Sequence, residues 1–196
     1  MPELQGRLIL TTAAVLEPIT LAEAKDHLRV SNTLSDVYIT NIISAAREYV
    51  EDTTGRQLVD ATWKLYLDSF PSIIHVPRPP LDSITSITYI DTGGTSQTLA
   101  SSQYTVITED QYDPQVREAY GLTWPSTRSQ PNAVTVTFKS GYGANTTDVP
   151  EHLRQSILLL VGDLFALRET TVTGTIVARL PQLESLMNQR SLPALI

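Results

Sequence analysis

Thr62-Trp-Lys-Leu-Tyr-Leu-Asp68 is the stretch on which the fold turns, because the apolar period changes there from 3.6 residues to 2. Trp63, Leu65 and Leu67 alternate with Lys64, Tyr66 and Asp68, the pattern of a strand with one buried face. Upstream, Val37, Ile39, Ile42, Ile43, Ala46, Tyr49 and Val50 recur at helical spacing up to Gly55, which suits the left-handed position that ends a helix. Further upstream, Thr20-Leu-Ala-Glu23 has the form of a capping box, and Leu21, Ala24 and Leu28 share one side of a short helix ending near Val30. The polar link Ser31–Ser35 is short, so the two helices are expected to form an antiparallel hairpin.

Downstream, strands are expected at Ile73–Val76, Ile84–Ile90, Tyr104–Thr108 and Val134–Lys139. Pro77-Arg-Pro-Pro80, Asp91-Thr-Gly-Gly94 and Gly121–Asn132 separate them. Asp148-Val-Pro-Glu151 then signals a third helix with Asp148 as its N-cap, and Leu153, Ile157, Leu160, Val161, Leu164 and Phe165 give it a broad apolar stripe. That stripe needs a partner, and the hairpin offers one. The expected class is therefore α+β, a small helical bundle interrupted by an antiparallel β insertion. The expected domains are an irregular or extended arm at 1–17, the bundle at 18–58 and 146–169, the insertion at 59–145, and a C-terminal arm at 170–196.

Composition narrows the function. The 196 residues hold no cysteine and three dispersed histidines, His27, His75 and His152, so neither thiol chemistry nor a metal site is expected, and no cofactor. No apolar run reaches the ~20 residues of a membrane span. The first residues lack the features of a secretory signal, so synthesis in the cytoplasm is expected. A net charge of −7 argues against gripping DNA phosphates but is compatible with enclosing a duplex that must slide. His27 and His152 read as helix-surface residues, because no motif supplies a nucleophile, a base and an orienting group together. Thr108-Glu-Asp-Gln-Tyr-Asp113 lacks the glycine and terminal glutamate of a calcium loop and reads as solvated.

Ile19-Thr-Leu-Ala-Glu-Ala-Lys-Asp-His-Leu-Arg-Val30, the helix carrying Ala45-Ala-Arg-Glu-Tyr-Val-Glu51 and the close on Thr54-Gly-Arg56 resemble the head-tail connector (adaptor) proteins of long-tailed bacteriophages. Pro77-Arg-Pro-Pro-Leu81, Tyr120-Gly-Leu-Thr-Trp-Pro-Ser-Thr-Arg128, Gln130-Pro-Asn-Ala-Val134, Ser140-Gly-Tyr-Gly143 and Val149-Pro-Glu-His-Leu-Arg154 are similar to the branch with a β insertion. The resemblance spans roughly residues 18 to 170 and rests on the ordered series, since each motif alone is weak. It implies a non-enzymatic virion protein of the neck, made in the host cytoplasm and assembled into a ring, usually a dodecamer. One side of the ring would meet the portal protein and the other a stopper or tail-completion protein. Double-stranded DNA would pass through without sequence recognition. Related sequences have also been labelled DNA-packaging proteins. Twelve chains at −7 each would give a ring of −84, unfavourable to DNA sticking in the channel.

Two surfaces are singled out. The chain end is rich in apolar residues for a solvated tail, so it either folds back on its own subunit or docks elsewhere; Leu180, Leu183, Leu186, Met187, Leu192, Leu195 and Ile196 are expected to dock on the portal or a neighbouring subunit, as the resemblance implies for terminal arms. Tyr120 and Trp124, with Arg128, Arg47 and Arg154, are candidates for the subunit interface, where aromatic and arginine side chains are favoured; Arg56 and Arg168 share with these arginines the reading of a contact to a neighbouring subunit or to DNA, against the ordinary one of a solvated surface arginine. Two other readings stand beside this one. The β insertion is a ligand-binding module, for surface sugars for instance, mounted on the helices; or the chain is an enzyme acting on nucleic acid or cell wall, for which no acid–base pair has a recognisable context.

Overall fold

A computed structural model describes residues 6–166, which form two compact units. The β unit comprises 6–14 and 60–142, and the helical unit 15–59 and 143–166. The chain thus runs from a strand through two helices, across the main β segment, and back to a helix. The class is α+β.

In the helical unit, α1 spans Leu21–Leu28, α2 Asp36–Thr54 and α3 Glu151–Ala166. Thr20 and Glu23 close a complete capping box at the start of α1. Arg29 ends that helix in the left-handed conformation, with its N–H and that of Val30 returned to the carbonyls of Asp26 and Lys25. Gly55 ends α2 at φ 70°, a conformation that costs a residue without Cβ little. The start of α3 differs from expectation. The Pro150 carbonyl accepts from Leu153 and Arg154, so the helix begins there. The Asp148 carboxylate is instead spent on Asn145, accepting from its backbone N–H at 2.9 Å and closing the turn before the helix.

Ala24, Ile39, Ile42, Ile43, Ala46, Val50, Leu153, Ile157 and Val161 are buried and make the core of this unit. Tyr38 of α2 donates to the Leu164 carbonyl of α3 at 2.9 Å, and its ring lies 6.1 Å from that of Phe165. Two residues placed on the apolar face of α2 are not inside: Val37 is 77% exposed and Tyr49 41%. The helix needs only the 39–42–43–46–50 stripe to reach its partners; Tyr49 falls at the flank of that stripe and Val37 on the opposite face.

The β unit has two sheets. Five strands, β1 (Arg7–Thr12), β2 (Ala61–Leu67), β4 (Leu81–Ile90), β5 (Ser96–Thr98) and β8 (Val134–Ser140), are ordered β1-β2-β8-β4-β5. Three more, β3 (Ile74–His75), β6 (Tyr104–Ile107) and β7 (Gln115–Glu118), are ordered β3-β7-β6. All pairings are antiparallel. Directly opposed residues share a face, so Leu65, Val136 and Ile87 line one side of the large sheet while Lys64, Thr137 and Ser86 line the other. The buried side meets Ile74 and Val116 of the small sheet in one cluster with Leu67, Val134 and Phe138. Gly141, at φ 144°, carries the chain out of β8 beside Asp60, where a Cβ would lie 2.5 Å from the Asp60 nitrogen.

Three strands went unseen in the sequence. Residues 7–12, expected within an irregular or extended arm, form β1 at the sheet edge; five of its six side chains are exposed, so burial imposes no alternation on them. β5 is three polar residues, and β7 carries a single buried side chain, Val116.

Candidate interface site

The arginines proposed as interface residues on α2 and α3 are committed inside their own unit. Arg47 reaches Glu17 at 2.8 Å and Glu51 at 2.7 Å, with its side chain 15% exposed. Ser44 adds a hydrogen bond to Glu17, and Gln57 Nε2 and the Leu58 N–H both donate to Glu51. Burial acts to lower the Arg47 pKa, but the Glu51 and Glu17 carboxylates outweigh it and raise it. This network pins the segment before α1 to α2. Arg154 of α3 bonds Glu23 of α1 and the Pro18 carbonyl, and reaches Glu151 at 3.1 Å. Arg56 is 1% exposed. None of the three offers a free guanidinium; Arg47 and Arg154 tie together segments of their own unit.

Glu23 joins the cap and the ion pair. Burial acts to raise its pKa, but the Thr20 N–H and hydroxyl and the Arg154 guanidinium outweigh it and hold it below the ordinary glutamate value. A carboxylate depressed in the folded state adds stability that is present above its unfolded pKa and is lost as pH falls through the folded one. Melting temperature should therefore decline as pH falls from about 5 to about 3, and Glu23→Gln should flatten that decline. An unchanged acid slope in the variant would show that Glu23 contributes nothing.

On the β unit the candidates divide. Trp124 stacks on Phe70, with ring centroids 4.9 Å apart and planes 7° from parallel, and covers the edge of its own core. Tyr120 is fully exposed at the tip of a turn closed by the Leu122 N–H on the Ala119 carbonyl, with Leu122 47% exposed beside it. Arg128 is exposed, and its backbone N–H is bonded to the Ile90 carbonyl. Leu180, Leu183, Leu186, Met187, Leu192, Leu195 and Ile196 lie outside the described residues, as does Arg168.

The acidic loop is tied down by its own chain. Asp113 meets His75 Nδ1 at 2.7 Å and accepts from Gln115 at 2.7 Å, while Asp110 accepts from the Tyr112 N–H. Among the described residues no group of three or more His, Asp or Glu is arranged to hold a metal, and no helix is long and apolar enough to cross a membrane. Two open clefts of about 480 and 490 Å³ share Asp68 and Ser69.

The model of the phage gp6-like head-tail connector proteins matches residues 18–118, just over half of the chain. The chain belongs to this family. The match runs through α1 and α2 into the β unit. Solved structures extend the likeness of this connector to 96% of its length. A chain from the neck of the empty GTA particle, computed with C6 symmetry, superposes with a TM-score of 0.80 at 23% identity, over 96% of this chain and 97% of that one. A chain from the virion of the native gene transfer agent (GTA) particle gives 0.79, and one from the neck of the native particle, computed with C12 symmetry, gives 0.78, both at the same identity and coverage. At that identity the likeness speaks for the fold. No curated protein matches the connector.

Proposed function

We propose that this connector is an architectural subunit of a phage neck, forming a closed ring, dodecameric as the resemblance implies, between the portal protein and a stopper or tail-completion protein, with double-stranded DNA passing through. The observation that carries this reading is the family match across the helical hairpin and into the β unit, joined to a whole-chain likeness to proteins of GTA necks. The ring is heterologous, each subunit presenting different surfaces to its two neighbours. Tyr120 and Leu122, an aromatic and an aliphatic side chain at one exposed turn, suit such a contact, with exposed Arg128 a further candidate on the same unit. Residues 170–196 are the arm that docks on the portal or a neighbour.

The subunit catalyses no reaction. His75 Nδ1 and Gln115 Nε2 both bond the Asp113 carboxylate, an arrangement that ties the 109–113 loop to the strands on either side of it. Measuring the mass of the purified chain, alone and mixed with its portal, tests the proposal. A closed multimer, formed alone or on the portal, is the expected result, and a chain that stays monomeric under both conditions overturns it.

A further inference from the structure

Four strands end the two sheets, and they are protected very unequally. β3 has two residues and β5 three, all of the latter polar, which is how soluble proteins blunt an edge. β1 carries the run Leu8-Ile9-Leu10, with Ile9 40% and Leu10 44% exposed, and β6 leaves Val106 36% exposed. Neither carries the lysine, proline or inward charge that discourages a further strand.

From this we infer that β1 of one subunit pairs with β6 of the next, a strand-to-strand seam that repeats around the ring. The inference rests on the ring proposed above, and its occupant is a second copy of this chain. Face and charge both select the pairing. Leu10 opposes Trp63, which opposes the buried Phe138, so Leu10 is on the core side of its sheet; Val106 opposes the buried Val116, so it is on the core side of the other. Ile9 opposes Lys64 and Ile107 opposes Gln115, both on the solvent side. Antiparallel pairing with Leu10 opposite Val106 sets Ile9 opposite Ile107, so that like faces meet and each core extends across the seam. Exposed Arg7, at the start of β1, then lies toward exposed Glu109 in the bend two residues past the end of β6, a complementary pair of charges at that end of the seam. A slip by one residue would put Leu10 against Thr105 or Ile107 and mix the faces. The irregularity between Leu10 and Thr12 ends the run just past the last matched pair. Because the two edges differ, each subunit gives one and receives the other, the head-to-tail relation that closes a ring.

The absence of cysteine makes the seam directly testable. Opposed strand residues have Cα atoms about 4.5–5.5 Å apart, within the range a disulfide spans. The full chain would be prepared with Leu10→Cys, Val106→Cys, both together, and Leu10→Cys with Thr105→Cys. Ring mass would be measured first, and each sample then oxidised mildly and run without reductant. The double Leu10→Cys/Val106→Cys chain should give a ladder of covalent multimers, a mixture of the two single variants should stop at dimers, and the slipped pair should lose the ladder. A ring of normal mass without that ladder overturns the seam and leaves the ring intact; a chain that never assembles overturns both. Dimers from Leu10→Cys alone as readily as from the mixture would mean symmetric β1–β1 pairing, and a disulfide within one chain would mean that the edges meet internally; either overturns the seam. Should the cysteine chains not fold, Arg7→Glu should shift assembly to higher protein concentration and Glu109→Arg in the same chain should restore it. No restoration overturns the pairing.

Discussion

Replacing Ile157 with Asp should unfold the helical unit under conditions where the unaltered chain is stable. Ile157 is fully buried on α3, among the residues that the α2 stripe 39–42–43–46–50 packs against. A carboxylate there is taken out of water, and burying it unpaired costs several kcal/mol in addition to the lost aliphatic contacts. The sum, at least about 4 kcal/mol, is a large part of the stability of a small unit. Ile157→Val removes only one methylene and should cost about 1 kcal/mol, separating packing from charge. Both tryptophans, Trp63 and Trp124, are in the β unit, so far-UV circular dichroism is the suitable probe of the helices. Equal melting curves for Ile157→Asp and the unaltered chain would refute the assignment of this face to the core.

Deleting residues 178–196 should leave a soluble, folded subunit that no longer attaches to the portal. A helix begun at Pro181 would set Leu183, Leu186 and Met187 along one side, which a partner groove could receive. Burying three such side chains in a partner groove contributes about 1.5–3 kcal/mol each before ordering costs, and repetition around a ring multiplies the effect. Heads carrying the truncated chain should fill with DNA and then leak or fail to join tails. Co-purification of the truncated chain with portal rings at the normal stoichiometry would refute the docking arm, and so would a truncated chain that does not fold.

Much of the helical unit was legible because its signals are local. The Thr20–Glu23 box, Gly55 beyond α2 and the apolar face of α2 each depend on residues within a turn or two of one another; the structure places the first two as read and buries the 39–42–43–46–50 part of the third, leaving out Val37 and Tyr49. The strands at 61–67 and 134–140 were legible for the same reason: one buried face stamps a period of 2 on the chain. The start of α3 was misread by two residues because Asp148 and Pro150 both favour a helix start, and only the Asn145 backbone decides which of them is used.

The sequence alone carries the order of the three helices and of the five strands with an apolar run, the switch from helix to sheet near Thr62, and a series of motifs that resembles the connector family. Tertiary structure alone decided which polar residues are spent internally. Arg47 finds Glu17 thirty residues away and Arg154 finds Glu23 across 131, and no local pattern announces a partner at that separation, because a salt bridge needs proximity in space and not in sequence. The edge strand β1 belongs to the same class: only Leu8 of its six residues is drawn toward the core, too little to stamp an alternation, and its place is set by the hydrogen bonds β2 offers it.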